Sequence, residues 1–568
     1  MKKRLLFSCL LAMMAVMALN AQVYLCGAVN GWNINDVWEF SQNSDGLYVL
    51  KVNFASGREF KLSTVRPSDS DGQAWNQFDS GVLGVYDSPQ LNEWTTLVPG
   101  VTNNINAPGS DEYTLYVDLA DKKIMISDGG EGPTPAGAWS GTLPVLFVNT
   151  TDNLPVDSKE VYRKGTYYLD PMGVEGIEAI GTADQPLPLQ IRGRGNYTWI
   201  GFDKKPYRLK LDAKAPLMGM KKSKHFALLA HADDNLGFMR NVFGFSLSRK
   251  FGLPWTPATQ PLEVVLNGQY IGLYWLTETI RVDSDRVNVI EQEDLATTDV
   301  DGGWLVEIDN YDTDPHVTVI TTGDYPVWFT YKSPEELSTE QETYLQSQMT
   351  AINTAVLAGD YNAFSDLVDP DCLARYFMVQ QLMQDRESFH GSCYLNRQRG
   401  QASRWMFGPV WDFGNAFEDG TGDNPTFIGP SQFYQVWINE IYEMPEFQTV
   451  VKSVWQSLDL TWCDDIIREN RAVAESIVDA AKADARRWPQ YGQTDIMNKF
   501  NTISSYLRNS QDWGTLNWGK VGIADAAIPD ATTAVRYYNL QGTQIAAPLP
   551  GQPVIRICAG KADKIVIR

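Results

Sequence analysis

Asp385 and Asp412 are the residues whose types and setting most invite chemistry in this chain of 568 residues. Asp385 stands just past an apolar helical stripe, and Asp412 closes the run RWMFGPVW. Between them, SCYLNR and RWMFGPV flank the polar turn QRGQAS and should pair as an antiparallel hairpin. Hairpin pairing returns the chain to its start, which brings the two aspartates together beside Arg386, Glu387 and His390. Two aspartates at one mouth suit a divalent cation and a proton acceptor. The alternative is structural, since acids at helix and strand ends often cap backbone or pair with arginine.

A second signal is charge. The chain carries a net charge of −22, which argues against non-specific binding to nucleic acid or membrane. Yet residues 191–250 hold thirteen Lys or Arg against four acids, a local surplus of nine. Such an island is either a solvated face or an anion site, with phosphate the obvious anion.

The elements that must position these residues are legible in outline. PLPLQIRGRGNYTW reads as a strand running into a glycine turn, and in KKPYRLKLD the residues Tyr207, Leu209 and Leu211 alternate with Arg208 and Lys210. HFALLAHAD reads as a further strand. Helical periodicity from Asn235, through Leu236, Met239, Phe243 and Leu247, ends at Gly252 and Pro254. LEVVLNGQYIGLYWL is a hairpin turned by Asn267-Gly268 and ends at Thr277-Glu278. Asp369 with Pro370 starts a helix that runs to Gln384, and residues 440–508 are mostly helical. A small β-rich half thus joins a larger helical half, and a cleft between such halves is a natural ligand site.

Lys2, Lys3 and Arg4, the apolar stretch from Leu5 to Leu19, and Ala21 before Gln22 make residues 1–21 a cleaved signal peptide. The chain is therefore expected in the periplasm, on the outer cell surface or secreted, with no transmembrane helix in the mature protein. Leu25 before Cys26 makes a poor lipobox. The remaining cysteines, Cys26, Cys372, Cys393, Cys463 and Cys558, are scattered, so buried thiols are expected instead of a zinc site or a disulfide framework. Residues 22–128 alternate in short segments and read as an all-β sandwich, 129–142 as a Gly/Pro-rich linker, 143–518 as an α+β block, and 519–568 as a short β tail.

Five motifs in order, IRGRGNYTW, KKPYRLKLD, LMGMKKSKHFALLAHADDNLGFMRN, VVLNGQYIGLYWLTETI and GPVWDF, make the α+β block resemble the spore-coat protein H (CotH) kinase family. The resemblance implies an atypical protein-kinase-like, two-lobed fold that uses ATP with Mg2+ or Mn2+ to phosphorylate Ser or Thr of an extracytoplasmic protein. It also implies roles for residues. Asp385 matches the catalytic base and Asp412 the metal-binding aspartate of the family's Trp-Asp-Phe-Asp motif. Lys205 and Lys210, on the strand after the glycine turn, match the phosphate-contacting lysine, with Arg192, Arg194 and Arg240 as further phosphate candidates. Glu278 falls where a hinge to adenine would begin. The chain departs from the pattern at Gly414, which replaces the second Asp, and at His390, which is a poor magnesium ligand. The letters Asp412-Phe413-Gly414, which spell the magnesium-binding triplet of ordinary kinases, therefore arise by losing an acid.

The N-terminal segments VYLCGAVNGWN, REFKLSTV and AWNQF resemble the β-sandwich modules of SusE/SusF-type starch-binding outer-membrane proteins, which implies sugar stacking on Trp32, Trp38, Trp75 and Trp94. The tail is similar to the C-terminal β tails of secreted Bacteroidetes proteins and implies a sorting segment. Because ATP is scarce outside the inner membrane, a rival reading is a catalytically silent kinase fold acting in glycan binding or adhesion. A third reading, glycoside hydrolysis, rests only on Glu307 and Asp309 sharing a strand face.

Overall fold

The computed structural model describes residues 22–566 apart from 43–46, 69–72, 120, 129–138, 291, 293–299, 310–313, 419–434, 460, 520–535, 540–543, 546–547, 549–552 and 559–560. The leader over 1–21 and most of the linker lie outside the described residues. The described residues of 1–140 with 269–272 and 483–490 form one compact unit; those of 141–268, 273–482 and 491–568 form the other.

In the first unit two sheets share one core. One is built on Tyr24–Gly27 and Glu59–Ser63, the other on Tyr48–Asn53, Glu112–Asp118 and Lys123–Ser127. Alternation decides which side chains enter. Phe60 and Leu62 from one sheet meet Tyr113, Leu115 and Val117 from the other, in the sandwich that the alternating pattern predicts. The opposite face of the first sheet carries a smaller apolar cluster of Tyr24, Cys26 and Phe78, the last on helix Ala74–Ser80.

The second unit begins with a seven-stranded closed barrel. Strands Val145–Thr150, Arg163–Asp170, Leu187–Gly193, Tyr207–Ala215 and Ser223–Leu229 follow one another, then Gln269–Glu278 and Thr259–Leu266 complete the ring. Closure comes from the parallel pairing of Val145–Thr150 with Thr259–Leu266. The expected alternation holds: Leu189, Ile191, Leu209 and Leu211 are buried, each contributing roughly 1.5–3 kcal/mol, while Lys210 is exposed. Asn267 and Gly268 both take positive φ, as a two-residue hairpin turn requires. The strand after the glycine turn starts at Tyr207, so Lys205 precedes it instead of lying on it.

A five-stranded antiparallel sheet follows, in the order His316–Ile320, Pro326–Ser333, Trp304–Ile308, Cys393–Arg397, Trp405–Phe407. The last two strands are the expected hairpin, with Leu395 opposite Phe407 and Arg397 opposite Trp405. Helix Pro370–Met383 is capped by Asp369, whose Oδ1 accepts the amides of Asp371 and Cys372 at 3.1 Å each. Helices Pro445–Ser457, Trp462–Ser476 and Ile496–Trp518 line a core with Phe377, Trp455, Trp462 and Trp518. The helix read from Asn235 in fact begins at Arg240. Phe238 has a φ of 62°, and Asp234 ties down the turn before it, so the preceding residues cannot coil. Four short antiparallel strands, Arg536–Tyr538, Gln544–Ile545, Pro553–Cys558 and Lys561–Val566, form the tail sheet.

The described cysteine side chains, Cys26, Cys372, Cys393 and Cys463, are free and buried, as expected. Among the described residues no helix is long and apolar enough to cross a membrane.

Candidate active site

Helix Pro370–Met383 ends at Gln384 in a left-handed conformation, and this turn delivers Asp385 into the interior. The Asp385 amide donates to Gln380 O at 3.1 Å. Its side chain is 1% exposed, and Oδ2 has no hydrogen-bond partner. Burial pushes its pKa well above the carboxylate range, and the charges of Glu387 and Asp412 add to the rise. The loop after it is pinned to the segment after Asp412. Phe417 N donates to Met383 O at 3.1 Å, Asn415 Nδ2 donates to Glu387 Oε2, and Arg386 pairs with Glu418 at 3.4 Å.

Asp412 sits just after the hairpin with a φ of 57°, a strained setting for a non-glycine residue. Three contacts hold it there. The Phe413 amide donates to Asn241 Oδ1 at 3.0 Å. Phe413 lies against Gly244 of helix Arg240–Lys250, where a Cβ would stand 2.2 Å from its ring. Arg240 Nη1 donates to Gly414 O at 2.8 Å and to Asp233 O at 3.4 Å, while Nη2 donates to Asn235 Oδ1 at 3.0 Å. Behind this clamp, His231 Nε2 meets Asn241 Nδ2 at 3.4 Å. Burial holds His231 down at about 4, so the ring is neutral at ordinary pH.

Asp233 is the member that sequence reasoning missed. A Cβ built at Gly414 would stand 3.2 Å from Asp233 Oδ2 and 3.3 Å from Asp412 Oδ1. Burial, then Asp412, pushes the Asp233 carboxyl up to about 6. Arg194 supplies the opposing charge. Its guanidinium lies 5.4 Å from the Trp411 ring centroid, and although burial lowers its pKa, Asp412 is the leading charge that opposes the fall. Lys204 was also missed. Its ammonium is buried, 5.3 Å from the Phe238 ring and 5.2 Å from Tyr274, and together with Arg194 it depresses His231.

The other sequence candidates divide. Arg240 is a clamp: its guanidinium is 4% exposed and occupied by protein carbonyl and amide oxygens, so it is not placed to meet phosphate. Lys205 Nζ donates to Trp199 O at 2.6 Å. Arg192 donates to Lys159 O and lies 5.0 Å from the Tyr162 ring, which Lys210 approaches at 6.0 Å. The Glu278 amide is committed to Ala258 O at 3.0 Å, and its Oε2 accepts the Ala258 amide at 3.0 Å, which leaves that N–H no capacity for adenine. His390 packs against Tyr325, centroids 6.4 Å apart. Glu307 is paired with Lys332 at 3.0 Å and pushed up to about 7, by burial first, with the charge of Asp309, one residue past the strand end, adding to the rise. Three lysines of the basic island pair with acids from outside its window, in Lys214–Asp283, Lys221–Asp285 and Lys250–Asp465.

Asp412 and Asp233, whose Oδ1 and Oδ2 bound the space at the Gly414 Cβ position, offer two hard oxygen donors of the kind a divalent cation takes. Among the described residues no group of three or more His, Cys, Asp or Glu is close enough to cage a metal alone.

In the first unit, Trp32 and Trp75 stand 6.2 Å apart at 41°, with Lys61 5.9 Å from the Trp75 ring. Trp75 is 36% exposed, whereas Trp38 packs against the sandwich core and Trp94 is half-buried in strand Trp94–Thr96.

The family model described as CotH kinase protein matches residues 190–513. Among solved structures, SusF from Bacteroides thetaiotaomicron is similar to 37% of this chain, which spans 45% of that chain, at 12% identity and a TM-score of 0.17, too low to carry an inference. No curated protein matches the chain.

Proposed function

Since the chain belongs to the CotH kinase family, whose model covers more than half of it, we propose that it transfers the γ-phosphoryl group of ATP to a Ser or Thr hydroxyl of an exported protein. The observation that supports this reading is that the chain after Asp412 is bonded to the chain before Asp385, Phe417 N to Met383 O at 3.1 Å, with Asp385 buried and its Oδ2 unpartnered and Asp412 held at positive φ by the Asn241 and Gly244 contacts. The acceptor oxygen bonds to the γ-phosphorus as the bond to the β–γ bridging oxygen breaks. ADP leaves, and the hydroxyl proton passes to the Asp385 carboxylate. Arg194 lends positive charge beside Asp412 for the phosphate oxygens. Asp412 would hold the cation, which would offset the phosphate charge and lower the pKa of the neighbouring carboxyls. In the test, the full chain is incubated with γ-labelled ATP and Mg2+ or Mn2+. Label on Ser or Thr that vanishes in Asp385→Ala and Asp412→Ala supports transfer; equal labelling in the variants refutes it.

A second reading concerns the first unit. Trp75, 36% exposed, with the half-buried Trp32 6.2 Å from it, offers an aromatic surface for the apolar face of a sugar. Retention of the chain on a polysaccharide gel, lost in Trp75→Ala, is the expected result; undiminished retention removes that role.

A further inference from the structure

Gly414 stands where the family motif carries an acid, yet the geometry around it is not short of a carboxylate. The position its Cβ would occupy is already bounded by Asp233 Oδ2 at 3.2 Å and Asp412 Oδ1 at 3.3 Å. These two acids come from distant parts of the chain and are locked together by one atom, since Arg240 Nη1 donates to the carbonyls of both Asp233 and Gly414. The neighbouring Asp234 is occupied in holding the turn, because its Oδ1 accepts the Leu236 amide at 2.7 Å and its Oδ2 the Arg240 amide at 3.0 Å. Among the described residues, the Asp233 side chain forms no ion pair within the salt-bridge range, and it is half-buried instead of sealed. Two carboxylates are thus held facing one point, against their mutual repulsion. Independently, Asp385 Oδ2 is buried without a partner and lies within reach of the Asp412 charge, an arrangement that a cation at Asp412 would relieve.

We propose that Asp233 supplies the second protein carboxylate of the divalent-cation site, replacing from the barrel-to-helix turn the acid absent at position 414. The substitution fits a small residue there. A Cβ at 414 would press on both carboxylates, at 3.2 and 3.3 Å, and each would have to give way by a few tenths of an ångström. It also explains why the clamp ties the Asp233 carbonyl to the Gly414 carbonyl: the two segments form one ligand unit.

The proposal rests on the phosphoryl-transfer reading only through the presence of a metal–nucleotide site, and its test separates the two. Mn2+ is titrated calorimetrically into the full chain with a non-hydrolysable ATP analogue present. Asp233→Ala is expected to weaken Mn2+ binding on the order of tenfold to a hundredfold. Gly414→Asp alone should give no gain, because the added carboxylate crowds its neighbours. The double variant Asp233→Ala/Gly414→Asp should recover most of the loss. Unchanged melting temperature in Asp233→Ala shows that the effect is not unfolding; Asp233→Asn, nearly isosteric, replaces it if that variant is unstable. If Asp412→Ala abolishes binding while Asp233→Ala and Asp233→Asn bind like the parent, this proposal is wrong and the wider reading stands. If the parent chain binds no Mn2+, both fall.

Discussion

Phe413 lies so close against Gly244 that a single Cβ at 244 would stand 2.2 Å from its ring. The helix Arg240–Lys250 therefore presents a bare patch of backbone to the residue that follows Asp412. Gly244→Ala should lower stability by about 1–3 kcal/mol, since a packed interior accommodates added volume only by displacement. The displaced ring carries Asp412 with it. Metal–nucleotide affinity should fall with stability, measurable by calorimetry beside a denaturant titration.

Arg240 is the other half of that clamp. Arg240→Ala removes donors to Gly414 O, Asp233 O and Asn235 Oδ1. Hydrogen bonds from charged donors contribute about 1.5–3 kcal/mol each, and they are not additive, so a loss of about 3 kcal/mol is expected in chemical denaturation. A lysine should rescue little, because one ammonium cannot reproduce the fork.

Asp385→Asn should separate stability from activity. The native carboxyl is buried and raised well above its usual pKa, which favours its neutral form, so an uncharged amide of nearly the same shape should leave the melting temperature close to that of the parent. Phosphoryl transfer should fall by about a hundredfold to ten-thousandfold. A variant that is both unstable and fully active contradicts the assignment.

His225 sets an acid limit on stability. Burial, then the charges of Arg281, Arg208, Lys210 and Arg286, hold it down at about 3. The unfolded state binds a proton near pH 6.5 while the folded ring stays neutral. The unfolded state thus holds more protons between those values, and stability rises with pH across that window. His225→Gln should flatten the fall in melting temperature between pH 6.5 and about 4; an unaltered slope would exclude His225 as the cause.

What the residues reveal in advance depends on how local the physics is. Asn267-Gly268 and Asp369-Pro370 were legible because a turn and a cap are decided within a few residues. Barrel closure was not, because Val145–Thr150 pairs with a strand far downstream that carries no matching local signal. The hairpin argument set Asp385 near Asp412, whose charge does act on it, but had no means of finding Asp233, which is tied to Gly414 through the Arg240 clamp. Counting charge in a window overstated the anion site for the same reason: Asp283, Asp285 and Asp465 lie outside the window and offset Lys214, Lys221 and Lys250. Arg240 and Glu278 had the right residue types, but their hydrogen-bonding capacity is used inside the fold.

The most direct measurement is a calorimetric titration of ATP with Mg2+ into the full chain and into Asp412→Ala. Metal-dependent binding by the parent, lost in the variant, is the predicted result and makes Asp412 a ligand despite Gly414. Equal binding by both, or binding indifferent to the metal, would contradict the central claim.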